Sequence, residues 1–212
     1  MLKFLLAAIL FCVISTDRIV LAKEGFYLGL NILYTMIEDD FDGVSALIGS
    51  QESIALPQVK GAFGLGLLGG LSFNESFAIE LNVSDTIHNV QWLGAHGDAE
   101  HRVIGLLFKN SFLHAETLHP FLVYGITYNE LILKDAAVDL SGRIDDAKLT
   151  GLGIDLGVGC DYYFNPRISV GGTLIYHIVE YDHAKGIQES GKVDDGISGG
   201  GLGVVLTTAY HF

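Results

Sequence analysis

The chain ends in a strand whose side chains alternate between two faces and whose last residue is aromatic. Residues 202 to 212 read LGVVLTTAYHF, and Tyr210 and Phe212 lie on the same face of this segment. A chain terminus usually frays, so an apolar terminal strand is unusual in a soluble domain. A closed barrel requires one, because its last strand must pair with its first to leave no free edge. This segment therefore predicts a closed β-barrel.

The same alternation recurs along the chain and defines eight strands. Each segment places large apolar residues on one face and glycine or polar residues on the other, over a length that suits a tilted crossing of a bilayer. We predict an all-β fold, an eight-stranded antiparallel up-and-down transmembrane β-barrel. The predicted strands are about residues 25–37, 59–71, 77–84, 102–112, 121–129, 150–163, 168–178 and 202–212.

The connections between these strands alternate in length. Residues 38–58, 85–101, 130–149 and 179–198 are long and polar, whereas 72–76, 113–120 and 164–167 are short. Long loops on one side and short turns on the other are typical of outer-membrane barrels, with the long loops extracellular. We therefore expect the protein in the outer membrane of the cell.

Composition supports a membrane barrel over a soluble one. Mean hydropathy is +0.41 and half of the residues are apolar, yet no stretch approaches the roughly 18 uninterrupted apolar residues of a membrane helix. A soluble lipocalin-type barrel also alternates, but its solvent face should carry charged residues, and the polar face in this chain is chiefly glycine. The net charge of −13 argues against nucleic acid as a partner.

The first 22 residues have the features of a secretory signal peptide. Lys3 precedes an apolar run over residues 4–14, and Ala22 closes a small-residue cleavage site. We predict a signal peptide over residues 1–22 that is removed after Ala22, and a barrel domain over residues 23–212.

Several phrases resemble the small eight-stranded OmpA/OmpW-type barrels of bacterial outer membranes. They are GFYLGLNILY, FNESFAIELNV, HPFLVYGITYN and GLGIDLGVGCDYYFNPRISVGG. The HPFLVYGITYN phrase and the long polar third loop favour the OmpW branch. That resemblance implies a porin-like protein that passes or binds small apolar molecules. The alternative is a structural or surface-interaction barrel of the adhesin or opacity type, without transport.

The resemblance also implies partners. The terminal strand is similar to the signal that the barrel-assembly machinery reads in this family, with Tyr210 and Phe212 as its aromatic residues. Outer-membrane lipid and lipopolysaccharide would surround the barrel, and small apolar solutes would be its cargo.

Four ionisable residues are predicted to face the barrel interior as a polar network. Glu80 and Lys109 lie at similar distances from short turns on neighbouring strands, and Asp155 and His177 are symmetric about the turn at Pro166. Because an unpaired charge is costly in an apolar medium, we expect each residue to have a partner. The Glu80–Lys109 pair could be a structural plug or a gate in a conduction path. Asp155 with His177 also allows a catalytic interpretation.

The interior is otherwise predicted to be apolar and glycine-rich. Leu33, Leu107, Val123 and Val205 are its candidate apolar lining. The inward glycines could relieve crowding in a narrow barrel or leave a cavity beside these side chains, and the sequence leaves both interpretations open.

The sequence predicts no catalytic, cofactor or metal site. The acidic segment from Glu38 to Gly43 begins like a calcium loop, but Gly49 stands where a bidentate glutamate is needed. The outer-membrane deacylases pair a histidine with a serine two residues later, and His177 is followed by Ile178 and Val179. We therefore expect a protein without enzymatic activity.

Overall fold

The computed structural model describes the chain from residue 24 onward with short gaps. The described residues are 24–38, 45–48, 52–55, 57–92, 95–112, 117–139, 144–185 and 190–212. The predicted signal peptide, residues 1–22, lies outside them and stays a prediction. Residues 39–43 of the acidic segment also lie outside them. Among the described residues no helix is long and apolar enough to cross a membrane.

The described chain is built from strands that form a single antiparallel sheet. Eight of them are the membrane-crossing strands that the sequence predicted, and three are short pieces from the first long loop. The strands are β1 (Gly25–Thr35), β2 (Ser45–Ile48), β3 (Glu52–Ala55), β4 (Gln58–Val59), β5 (Ala62–Ser72), β6 (Phe77–Trp92), β7 (Ala95–Ser111), β8 (Leu118–Asp139), β9 (Ile144–Asn165), β10 (Ile168–Lys185) and β11 (Ser190–His211).

The eight long strands close into a ring. Each pairs with its neighbours in chain order, and β11 returns to pair with β1 from Tyr27 opposite His211 to Thr35 opposite Gly203. The amide of Phe212 donates to the carbonyl oxygen of Phe26 at 3.0 Å and completes this seam. The predicted eight-stranded up-and-down barrel is confirmed, and its terminal strand has no free edge.

Three segments that the sequence predicted as long loops are mostly strand. β6 and β7 remain paired from Asp85 opposite Arg102 to Trp92 opposite Ala95. β8 and β9 remain paired through most of the described part of 130–149, and β10 and β11 extend into 179–198. The physical reason is that buried residues continue on the inner face, mostly apolar but with Thr86, His88 and His101 on β6 and β7, while charges alternate with them on the outer face. Outward charges lowered the apolar content of these segments and hid the alternation.

The first long loop contributes a small hairpin to the loop end, which is the end opposite the turns at 73–76 and 166–167. β2 pairs with β3, β2 also pairs with β11, and β3 pairs with β8. Above the ends of β1 and β7, the wall is therefore a ring of six strands: β8, β9, β10, β11, β2 and β3. Since barrel diameter grows with strand number, the barrel is narrower here.

The two faces of the wall differ as the alternation predicts. Large apolar side chains such as Phe63, Leu65 and Leu152 point outward and are 69–75% exposed. They form an apolar band around the barrel, whereas the inward positions of the same strands are buried or half-buried. This arrangement places the ionisable residues of the interior inside a wall that is apolar on its outside.

Candidate functional site

Three charged side chains meet inside the barrel near the turn end. Lys109 lies on β7, Glu80 on β6 and Asp161 on β9. The Lys109 Nζ lies 2.6 Å from Asp161 Oδ2 and 3.5 Å from Glu80 Oε1. All three side chains are nearly buried, with 8–13% of their surface exposed. The structure thus places one ammonium group between two carboxylates in the interior.

Two aromatic rings complete this turn-end network. The Tyr27 hydroxyl donates a hydrogen bond to Glu80 Oε1 at 2.5 Å, a length typical of a bond to an ionised oxygen. The Lys109 Nζ lies 4.0 Å from the centre of the Phe121 ring, within cation–π range. Lys109 and Glu80 therefore each have more than one partner, which compensates for their removal from water.

The sequence did not predict the main partner of Lys109. Asp161 faces inward on β9, and β9 is separated from β7 by β8, so the contact crosses the interior. The register also differs from the equal depth expected for Glu80 and Lys109. Lys109 lies opposite Ala78, and Glu80 lies opposite Leu107. The sequence alternation indicated that Asp161 faces inward. Which carboxylate pairs with Lys109 depends on how the strands are staggered around the ring.

Asp155 and His177 form a separate pair nearer the middle of the barrel. They lie directly opposite each other on β9 and β10, and His177 Nδ1 is 2.7 Å from Asp155 Oδ1. The carboxylate orients the imidazole ring, but acyl transfer would also require a nucleophile. The four ionisable residues of the predicted network are thus divided between two places.

A buried serine–histidine contact was not anticipated from the sequence. Ser169 Oγ and His211 Nε2 are 2.9 Å apart, and both residues are less than 5% exposed. The His211 ring also stacks on Tyr27, with ring centres 4.9 Å apart. Because both residues are buried and the imidazole ring is stacked on Tyr27, the geometry favours a structural hydrogen bond over a reactive hydroxyl.

Amide side chains link the walls across the middle of the barrel. Asn31 donates to Asn82 Oδ1 at 3.0 Å, and the Thr207 hydroxyl donates to Asn31 Oδ1 at 2.8 Å. The three residues belong to β1, β6 and β11, and β5 separates β1 from β6. These hydrogen bonds therefore occupy the interior between the two ionic groups.

The candidate apolar lining is packed. Leu33, Leu107 and Val123 are 3–7% exposed, and Leu107 and Val123 cluster with Phe121. Val205 is half-buried. Leu33 lies opposite Val205 in the pairing of β1 with β11, so the candidate lining forms two places in the wall and is buried or half-buried in both.

Inward glycines make room for neighbouring side chains. A methyl group on Gly70 would overlap the Tyr27 ring, one on Gly159 would overlap Phe121, and one on Gly171 would overlap the Asp161 carboxylate. The space that glycine provides is therefore occupied. Of the two interpretations left open by the sequence, the structure favours relief of crowding at these positions.

Gly125 gives a direct test of this crowding. A methyl group there would overlap the backbone of Leu106 and Leu107, whereas one on outward Gly172 would meet Leu206 at 3.8 Å, an ordinary contact. We expect Gly125→Ala to lower the free energy of unfolding by about 1–3 kcal/mol. Gly172→Ala should change it by less than about 0.5 kcal/mol. Urea unfolding in lipid vesicles measures both, and equal effects would contradict a filled interior.

An apolar core fills the barrel at the loop end. Leu131, Leu133 and Leu149 are 0% exposed, and Tyr181 is 1% exposed. They belong to one cluster of buried side chains: Ile37, Val59, Val90, Ala99, Leu131, Leu133, Ala147, Leu149, Val179, Tyr181, Ala184 and Ile197. The core includes Val90 of β6 and Ala99 of β7, so it lies below the six-strand ring, where these two strands still belong to the wall.

The cavities agree with a filled interior. A cavity at the turn end, bordered by Tyr27, Lys109 and Asp161, has a volume of about 20 Å³, which is close to the space of one water molecule. A larger space of about 720 Å³ is lined mainly by outward side chains such as Leu81 and Ile154. That space lies against the outer surface of the wall, within the apolar band.

Two buried histidines lie where the interior passes from polar to apolar. Thr86 and His101 face each other just beyond the exposed Asp85–Arg102 ion pair, which marks the loop-end edge of the apolar band. The ring centres of His88 and His101 are 6.2 Å apart. His88 Nδ1 hydrogen-bonds to the Lys60 carbonyl at 2.7 Å, and His101 Nε2 to Asn129 Oδ1 at 3.1 Å.

Burial lowers the pKa of His101 to about 3, with smaller contributions from His177 and His88. In the unfolded chain the pKa is about 6.5, so this group's contribution is complete above that pH and is lost as the pH falls toward about 3. Between these two pH values, each unit by which the pH falls should lower the free energy of unfolding by about 1.4 kcal/mol. Urea unfolding at pH 7.5 and 5 should show a smaller pH effect for His101→Gln than for the native protein. The exposed His183 is the control, and a His183→Gln variant with the same reduction would contradict the assignment.

Among the residues that the structure describes, no three His, Cys, Asp or Glu side chains are grouped to hold a metal ion. The aromatic residues of the terminal strand lie on the outer surface. Tyr210 and Phe212 are 43% and 56% exposed, and their ring centres are 5.1 Å apart. They are therefore accessible from the apolar surroundings of the barrel.

Comparisons with known proteins agree with this architecture. The family model for the outer membrane protein beta-barrel domain matches residues 4–207. Neisserial surface protein A has 14% sequence identity and a TM-score of 0.59, with 89% of this chain and 98% of that chain covered. The outer membrane protein OprG from Pseudomonas aeruginosa has 17% identity and a TM-score of 0.57, with 92% and 99% covered. No curated protein sequence matches the chain.

Proposed function

The chain belongs to the outer membrane protein beta-barrel domain family, and we propose that it is a closed, non-enzymatic barrel that presents a rigid β-structured surface outside the cell. The family places the barrel in the outer membrane. Its loop end is then extracellular and its turn end periplasmic.

The loop-end core is the observation that carries this proposal. A water-filled passage would leave its lining partly exposed, whereas Leu131, Leu133 and Leu149 are 0% exposed. At the periplasmic end the Lys109 network occupies the interior, beside a cavity of about 20 Å³. These two regions support a barrel that is closed at both ends.

The extended hairpins support a role at the surface. β8, β9 and β11 are each 22 residues long, about twice the length that a tilted strand needs to cross a bilayer. The extra length forms paired strands around the apolar core, so the extracellular part has a defined shape that a partner could recognise.

Conductance and solute uptake test the closed state. The folded protein is inserted into planar bilayers and liposomes, with a known porin as the positive control. We expect conductance and uptake at the level of protein-free membranes. Stepwise channel currents from the native protein would overturn the proposal.

A second candidate function, binding or passage of small apolar molecules, is favoured by the apolar character of the loop-end core. It requires that core to open. Saturable binding of one small alkane-type molecule per barrel, lost in Leu149→Arg but kept in the lipid-facing Leu152→Arg variant, would favour this function over the closed barrel.

We also propose that the barrel-assembly machinery reads the terminal strand through Tyr210 and Phe212. Both rings lie on the outer surface of the closing strand. Phe212→Ala should lower the fraction of heat-modifiable, folded barrel in cell membranes while total synthesis stays constant. An unchanged folded fraction would contradict this role.

A further inference from the structure

The space of about 720 Å³ on the outer wall is a groove that crosses the strands from β6 to β11. Its sides are two rows of outward side chains, and the members of each row lie opposite one another in the strand pairing. The first row runs from Leu81 on β6 to Ile178 on β10, and the second from Ile104 on β7 to Ser198 on β11. Each row covers five strands, so the groove is about 19 Å long at the usual spacing of strands.

The groove runs obliquely from the turn end towards the loop end. Leu81 lies near the turn-end start of β6 at Phe77, whereas Ile178 lies far along β10, which starts at the turn end with Ile168. A lipid chain of the outer leaflet takes the same course, because its head group lies at the loop-end interface and its tail points to the middle of the membrane. The groove therefore has the direction and length of one extended alkyl chain.

The sides of the groove are apolar along most of its length. Ile126, Leu152 and Ile154 are 51–71% exposed, so they are available for contact with a chain that lies between the two rows. These are dispersion contacts, which any hydrocarbon tail can make. Selection between amphiphiles must therefore come from the group at the end of the groove.

A carboxylate lies at the loop-end limit of the groove. Glu180 is exposed and follows Ile178 on the outer face of β10. Its side chain lies over Gly196 of β11, where a methyl group would come within 3.0 Å of Glu180 Oε1. Among the residues that the structure describes, no basic side chain forms an ion pair with Glu180. This negative charge attracts an ammonium head group and repels a phosphate.

We propose that the groove binds a single-chain amphiphile with an ammonium head group, taken from the outer leaflet. The alkyl chain lies between the two rows, and the ammonium group donates to the Glu180 carboxylate, a charge-assisted contact. The chain contacts only the outer face of the wall. Binding is therefore independent of whether the interior of the barrel is closed.

The test uses the native barrel in phosphatidylcholine vesicles at neutral pH with spin-labelled hexadecylamine as the probe. Hexadecanol and hexadecyl phosphate with the same label are the comparison probes. Electron paramagnetic resonance gives the fraction of each probe that the protein immobilises, and hence its relative association constant. We expect the amine to bind at least about threefold more tightly than the alcohol, as for one exposed charge contact, and the phosphate to bind most weakly. Equal constants for the three probes, or a preference for the phosphate, would overturn the proposal.

A charge variant tests the role of the carboxylate. Glu180→Gln should lower the association constant of the amine to that of the alcohol and leave the alcohol unchanged. The control is Asp85→Asn, which removes an exposed carboxylate at the edge of the same band but outside the groove. It should keep the native preference for the amine. The same loss in both variants would show that net charge governs binding and would contradict the assignment of the site.

A second pair of variants tests the groove itself. Leu152→Ala/Ile154→Ala shortens one side chain in each row, and should lower the association constant of the amine at least about threefold because contacts along the chain are lost. The control Leu28→Ala/Leu30→Ala shortens two outward residues of β1, which lie outside the groove, and should bind as the native protein does. Heat-modifiable migration confirms that each variant is folded. Equal effects of the two double changes would identify ordinary lipid contact around the whole barrel and would overturn the proposal.

Discussion

Replacing Lys109 by methionine should lower the free energy of unfolding by about 3 kcal/mol or more. The change removes the cation that lies 2.6 Å from Asp161 and 3.5 Å from Glu80, so two carboxylates remain in the interior without it. Urea unfolding of the protein in lipid vesicles measures the effect. The control is Lys148→Met, since the Lys148 side chain is 42% exposed and should contribute about 1 kcal/mol or less.

Double-mutant cycles identify the partner of Lys109. Adding Asp161→Asn to Lys109→Met should recover part of the lost stability, because one of the two carboxylates is then neutral. Adding Glu80→Gln should recover less, since Glu80 is farther from the ammonium group and keeps its hydrogen bond from Tyr27. Additive effects for both pairs would show that these groups do not meet.

The same variants separate a plug from a gate. If the network is a structural plug, the Lys109→Met/Asp161→Asn variant should be silent in planar bilayers, as we expect for the native protein. Currents that appear in this variant while its stability is largely restored would instead show that the network holds a passage closed.

Truncating Leu149 to alanine should destabilise the loop-end core by about 2–5 kcal/mol. Leu149 is 0% exposed and belongs to the packed loop-end core, so its truncation leaves a cavity among buried side chains. Hydrogen exchange of the amides in 131–135 and 147–151 reports the change locally, because parts of one structure can open separately. These amides should exchange faster in the variant while those of β1 and β5 keep their rates.

Leu152→Ala is the matched control for this prediction. Leu152 lies on the same strand, three residues away, and points outward with 71% exposure. Its truncation removes a contact with lipid but creates no interior cavity, so exchange in the loop-end strands should stay at the native rate. If Leu149→Ala behaves in the same way, the loop end is not packed and the proposal of a closed barrel loses its main support.

Local contacts of the interior could be predicted from the sequence, and distant ones could not. Asp155 and His177 were placed opposite each other because they are symmetric about one short turn, and a hairpin turn fixes the register of its two strands. Lys109 meets Asp161 across the interior, from strands that are not neighbours. That contact depends on the stagger and curvature of the whole ring, which no local pattern encodes.

The loop end of the barrel was the least predictable part. Leu131 and Leu133 alternate with Glu130 and Lys134, but the charges made the segment look like a loop. It becomes strand because the neighbouring hairpins supply partners for its backbone and an apolar core for its inner face. The small hairpin of β2 and β3 illustrates the same point, since its pairing with β8 and β11 joins segments far apart in the chain.

The sequence by itself determined that this chain forms a membrane barrel and which face of each strand points inward, because a period of two residues and the lengths of the connections follow from local geometry. Only the tertiary structure decided what the interior contains. Whether an inward glycine leaves space depends on the ring or carboxylate that the opposite wall places there, as Tyr27 does at Gly70. Whether the interior is filled or open is therefore decided by contacts between strands. These contacts form only when all of the strands are in register.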